Sequence, residues 1–100
     1  MTSDGVHRFL VAYDISSDQR RTRVAKALEA HGDRVQYSVF LVDAKPARML
    51  RLRAALRHLM DERQDAALIC DLGPLAYGGV TRLQFLGQRR PITGDLPMIL

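Results

Sequence analysis

The chain has one cysteine, Cys70, so no disulfide can form within it. Its setting in the apolar run Ala66–Leu72 reads as a small buried core residue rather than a reactive thiol. No apolar run approaches the roughly 20 residues that a membrane span needs. The start, MTSDGVHRFL, has neither the basic region nor the long apolar stretch of a secretory leader. Together these features predict a cytoplasmic protein. There is no P-loop, no GxGxxG turn, no zinc-type cysteine pattern and no candidate catalytic triad. The three histidines, His7, His31 and His58, show no metal-ligand spacing. Repeats and low-complexity linkers are also lacking. Lysine is scarce: of 15 basic residues only Lys26 and Lys45 are lysines, and the rest are arginines.

What is present is an ordinary globular composition, 47% apolar and 26% charged, in 100 residues, enough for one domain and not two. Net charge is +4. Arginine forks match phosphate geometry, so the bias suits nucleic acid. A genome rich in arginine codons would produce the same bias, and charge alone tips the reading only slightly.

Val6–Ile15 reads as a strand. Phe9, Val11, Tyr13 and Ile15 point to one face; Leu10, Ala12 and Asp14 point to the other. Both faces are apolar until Asp14, which predicts a central strand covered on both sides. Ser16 with Gln19 three residues later fits a capping box. Val24 and Leu28 supply the apolar stripe of the helix that follows, and His31-Gly32 a stop. Arg34–Asp43, rich in β-branched and aromatic residues, reads as one strand or as two short ones joined near Ser38. Pro46 suits the first turn of a second helix, whose stripe is Met49, Leu52, Leu56, Leu59 and Met60. Ala66–Leu72 is a further strand, and Val80–Leu86 a candidate last one. Residues 1–86 then form a single domain. The tail Gly87–Leu100, with Pro91, Gly94 and Pro97, is predicted to be mobile or partner-bound.

Splitting the middle run gives βαββαβ, the ferredoxin-like α+β arrangement, with both helices on one face of an antiparallel sheet. Leu10 and Ala12 imply that the other face is covered, and a second subunit is the simplest cover.

Asp14 is the most informative acid. It ends a strand just before a helix, where aspartate commonly caps the turn. Two features argue for more: Ser16 already offers a cap, and Gln19-Arg20-Arg21-Thr22-Arg23 follows. Arg21 shares the side of Val24, Ala25 and Leu28, one turn earlier, which places it at the sheet edge near Asp14. Arg23 turns more outward. Lys45, Arg48, Arg51, Arg53 and Arg57 form an acid-free run on helix two; such a run is usually a solvated face but is also able to contact a phosphate backbone.

Val11-Ala-Tyr-Asp-Ile15, Arg20-Arg-Thr-Arg23 with Lys26 and Leu28, and Gly32-Asp-Arg-Val-Gln-Tyr-Ser-Val-Phe40 together resemble the second CRISPR-associated core protein family, the small subunit of the spacer-acquisition machinery. The resemblance runs from about Phe9 to Leu72. It implies a ferredoxin-like homodimer in which a C-terminal strand crosses to the partner's sheet, suiting Val80–Leu86. It implies a magnesium-dependent endonuclease acting on RNA or duplex DNA in antiviral defence, with Asp14 as catalytic metal ligand. Tyr13, Arg20, Arg21, Arg23, Arg34, Ser38 and Phe40 would lie near the site. The alternative is a non-catalytic dimeric scaffold that holds duplex DNA between subunits of a CRISPR-associated integrase. If Leu10 and Ala12 line the dimer face, two Asp14 carboxylates face each other across it, and a magnesium ion, which takes one or two carboxylates plus water and phosphate, can lie between them.

Overall fold

The structure, a computed structural model, describes residues 5–77 and 83–88. Its element order is β1 (His7–Asp14), α1 (Asp18–Glu29), β2 (Gly32–Gln36), β3 (Val39–Ala44), α2 (Pro46–Leu59) and β4 (Ala66–Pro74), then a short 3-10 turn, Leu75–Tyr77. The four strands form one antiparallel sheet in the order β2-β3-β1-β4. This is the ferredoxin-like arrangement. The alternation of β1 determines it: Phe9, Val11 and Tyr13 are buried on the helix side, as expected of a strand flanked by two others.

Helix α1 begins one residue later than the capping pattern implies. Its N-cap is Ser17, whose Oγ accepts from the Arg20 amide at 3.2 Å. The serine that can reach the third helical amide is the one that caps, and here that is Ser17, leaving Ser16 exposed in the loop. The helix ends at Glu29 with Ala30 as its C-cap, so Gly32 does not stop the helix but opens β2. Gly32 is there because the strands approach closely: a Cβ at this position would lie 2.1 Å from the Leu41 carbonyl oxygen. The middle run is two strands, with Tyr37 and Ser38 in the turn.

Helix α2 starts at Pro46, whose missing N–H costs nothing at the first helical position. Its stripe Met49, Leu52 and Leu56 packs with Val24, Ala25 and Leu28 of α1 against Phe9, Val11, Phe40 and Val42. Phe40, Leu28 and Val11 have no solvent exposure, and each such side chain contributes about 1.5–3 kcal/mol.

The second sheet face is divided. Val35 and Leu41 form a smaller cluster with Leu10, Val39 and Leu72, over which Leu83 and Phe85 of the same chain pack. The expected second subunit is therefore not needed over the whole face: the chain covers the β2–β3 half itself. Arg8 also lies on this face, only 2% exposed, with its guanidinium on both Asp43 oxygens at 2.8 and 2.9 Å. Among the described residues, the β4 half is left open at Leu68 and Cys70. Leu68 is 61% exposed, and Cys70, opposite Leu10, is exposed as well. Cys70 is thus not the buried core residue that its apolar surroundings suggest. Strand β4 is an edge strand: Leu72 near its end packs into the smaller cluster, while Leu68 and Cys70 stay open on the same face.

The candidate strand Val80–Leu86 lies partly outside the described residues; 83–86 packs through Leu83 and Phe85 without strand pairing. Most of the tail 87–100 lies outside the described residues too. No helix among the described residues is long and apolar enough to cross a membrane.

Candidate nucleic-acid site at the end of strand β1

The topology collects four segments at one end of the sheet: the end of β1, the start of α1, the β2–β3 turn, and the connection from α2 to β4. Asp14 ends β1 opposite Ala66, the first residue of β4. It shares the face of Leu10 and Ala12, away from the helices, and is exposed. The Tyr13 amide donates to the Ser38 carbonyl at 3.0 Å, which ties the β2–β3 turn to the residue before Asp14.

The arginines divide by what they hold. Arg21 donates to the Ile15 carbonyl at 2.8 Å, one residue from Asp14, and pairs with Asp18. The Asp18 contact, opposed by desolvation and aided by Tyr37, raises its pKa above the usual arginine value. The helix register places it at this corner, and the guanidinium braces the strand end. Arg20 grips Asp65 with two bonds, 2.7 and 3.0 Å. Arg23 is exposed on α1. Arg34 lies with its guanidinium carbon 5.2 Å from the centre of the Phe40 ring and reaches toward the Tyr13 hydroxyl at 3.5 Å. Tyr13 and Phe40 stack with centroids 6.3 Å apart. Arg34, Tyr13 and Phe40 therefore form one stack on the helix side of the sheet, with Phe40 wholly buried. Asp14 stands on the opposite side. Of the residues singled out in the sequence, Asp14, Arg20, Arg21 and Ser38 gather around the strand end, whereas the stack supports it from behind.

Asp65 has no side-chain exposure and went unremarked in the sequence. Besides Arg20 it accepts from the Asp61 amide at 2.9 Å and from the Ser16 backbone. The Arg20 hydrogen bonds, opposed by burial and helped by these amides, lower its pKa from 3.8 to about 2. One carboxylate thus joins the β1–α1 loop, α1 and the α2–β4 connection, next to the residue that faces Asp14. No local signal marks it, because its partner is far along the chain and its surroundings, Asp61-Glu-Arg-Gln-Asp65, read as a polar loop.

Asp14 is the exposed carboxylate at this strand end, and no group of three or more metal-ligating side chains occurs among the described residues. This donor set suits a magnesium ion held largely by water and substrate phosphate, which needs only one or two carboxylates. It does not suit a metal caged by this chain alone.

An exposed acid and braced arginines thus stand together at one end of a four-stranded α+β sandwich. The chain matches the family model described as CRISPR associated protein Cas2 over residues 7–77, and it belongs to that family. A Rhodospirillum rubrum relative named CRISPR-associated endoribonuclease Cas2 3 is 44% identical over 96 residues, covering 91% of this chain and 98% of the relative. A Thermus thermophilus protein, solved as a hypothetical protein, is 35% identical with a TM-score of 0.73, covering 88% of this chain and 99% of its own. Streptococcus pyogenes Cas2 is 29% identical with a TM-score of 0.67, over 80% of this chain and 99% of that one.

Proposed function

We propose that the chain is a CRISPR adaptation protein that acts as a homodimeric, magnesium-dependent endonuclease, with Asp14 of each protomer as the metal ligand. The observation that carries this is the position of Asp14. It is an exposed carboxylate at the end of a central strand, beside the half of the second sheet face left open at Leu68 and Cys70. Family membership, and the endoribonuclease name that relatives carry, support phosphodiester hydrolysis, with the name speaking for RNA.

Apolar exposure at Leu68 beside Leu10 and Ala12 supports the dimer, because burying that strip against a second copy places two Asp14 residues on facing surfaces. Asp14 would hold the cation, which would supply charge neutralisation at the phosphodiester. Arg21 fixes the strand end through the Ile15 carbonyl, and Asp65 holds the neighbouring loops in place.

The lack of a group of three or more metal-ligating side chains among the described residues also favours a second reading, a scaffold that holds duplex DNA between integrase subunits without cutting it. Asp14→Asn separates the two. On the nuclease reading, the purified variant loses magnesium-dependent cleavage of RNA and duplex DNA while keeping its dimeric mass. Undiminished cleavage by the variant refutes the role of Asp14. Spacer acquisition that survives the substitution in cells supports the scaffold.

A further inference from the structure

Helix α2 has a charge pattern that its own stability does not explain. Its fourteen residues, PARMLRLRAALRHL, contain no acid. Lys45 caps it with no side-chain hydrogen bond, and no acid occupies the first turn. A helix N-terminus carries about half a positive charge, so basic residues there are unfavourable by about 0.3–1 kcal/mol each. Arg48 and Arg51 are three residues apart, and Arg53 and Arg57 four apart, which adds like-charge repulsion along the surface.

Neutralisation from neighbouring elements is slight. Arg57 pairs with Glu62 at 2.8 Å. Arg48 lies 3.2 Å from the His31 ring, which supplies no negative charge. Arg51 and Arg53 are exposed and meet no acid in an ion pair among the described residues. A shallow groove of about 630 Å³ follows the Arg53–Arg57 flank of this surface, lined by Leu50, Arg53, Ala54, Arg57, His58 and Glu62. The cationic residues are mainly arginines, whose planar forks match phosphate oxygens.

We infer that the exposed face of α2 is a second nucleic-acid site, one that grips the phosphate backbone of a duplex without reading its sequence. The helix rises about 1.5 Å per residue. Arg48 and Arg51 lie on one flank of the exposed face and Arg53 and Arg57 on the other, so together they straddle a phosphate backbone lying along the helix, where a duplex carries one charge per roughly 1.7 Å of axis. The site is separate from the Asp14 corner. α2 lies on the helix side of the sheet, whereas Asp14 faces the other way. A duplex on α2 is held, not cut, and its binding does not depend on how Asp14 acts.

The test uses the full chain and a fluorescein-labelled duplex DNA of arbitrary sequence in EDTA, so that no cleavage intervenes. Anisotropy titrations at 50–200 mM salt give the slope of log affinity against log salt. In the variant Arg48→Gln/Arg51→Gln/Arg53→Gln, all three exposed positions lose charge. The expected result is a slope shallower by about 2.7, from roughly 0.9 for each phosphate no longer neutralised, and at least about tenfold weaker binding at 150 mM. The matching triple lysine variant keeps the slope, which controls for folding. Asp14→Asn keeps it too, even if that variant proves fully active in cleavage. An unchanged slope in the glutamine variant overturns the inference. So does a loss of slope in Asp14→Asn equal to that of the glutamine variant. If the glutamine variant loses binding to poly-glutamate but not to the duplex, the face serves an acidic protein and the inference is again overturned.

Discussion

Replacing Lys45 by aspartate should stabilise the protein markedly. Lys45 holds the N-cap of α2 at φ −68°, ψ 149°, close to Ser17 at the N-cap of α1, φ −86°, ψ 128°. Ser17 uses that backbone geometry to accept from the third helical amide; Lys45, which has no acceptor, cannot. The equivalent amide in α2 is that of Arg48, and Lys45 itself is exposed, so the substitution removes no packing. A good cap contributes about 1 kcal/mol, and exchanging a cation for an anion at the helix N-terminus adds about 0.3–1 kcal/mol. The sum, about 1.5 kcal/mol, corresponds to a rise in Tm of about 6–12 °C for a domain of this size. Thermal unfolding followed by circular dichroism at pH 7 and low salt reads it directly. Lys45→Asn separates the contributions: it keeps the cap and lacks the charge, so the excess of aspartate over asparagine should shrink in high salt. An asparagine variant no more stable than the parent refutes the capping argument.

Asp65 makes stability depend on pH in acid. Its folded pKa of about 2 lies below the ordinary 3.8, so its contribution is complete above about pH 4 and is lost as pH falls toward 2. Asp65→Asn should lower Tm at pH 7 and show a shallower fall of Tm below pH 4; parallel acid limbs for variant and parent would contradict the reading. Cys70 reports on the bare strip of β4: it should react readily with a thiol reagent in dilute protein and slowly as concentration drives dimer formation, and full reactivity in a sample of dimeric mass would remove β4 from the interface.

Much of the fold was legible because β1 and the two helical stripes alternate cleanly, and because Pro46 and the Tyr37-Ser38 break fall where elements must start or turn. The errors have a common cause, namely tertiary placement. Ala66–Cys70 is apolar on both faces and so reads as buried, yet an edge strand leaves Leu68 and Cys70 open on one of them. The choice between Ser16 and Ser17 as the cap depends on which hydroxyl reaches a backbone amide, and residue spacing does not resolve a shift of one. At the candidate site, Asp14 stood out as an acid where an apolar strand ends, and the register of α1 brought Arg21 beside it. The Arg20–Asp65 pair could not be anticipated, since nothing local relates residues so far apart. Nor could the separation of Asp14 from the Arg34–Phe40 stack, which follows from which side of the sheet each residue occupies.

The pairing of β1 with β4 also sets when the site comes into being. The first strand emerges early from the ribosome, but its edge partner runs to Pro74, and the register His7↔Pro74 and Asp14↔Ala66 joins opposite ends of the folded core. Closing so long a loop is the slow, entropically costly part of folding, and it is repaid only once the far contacts form. Asp65 and Ala66 arrive with that closure, and only then do the loops around Asp14 acquire their common anchor. Assembly order thus leaves Asp14 without its frame until nearly the whole described core has been made.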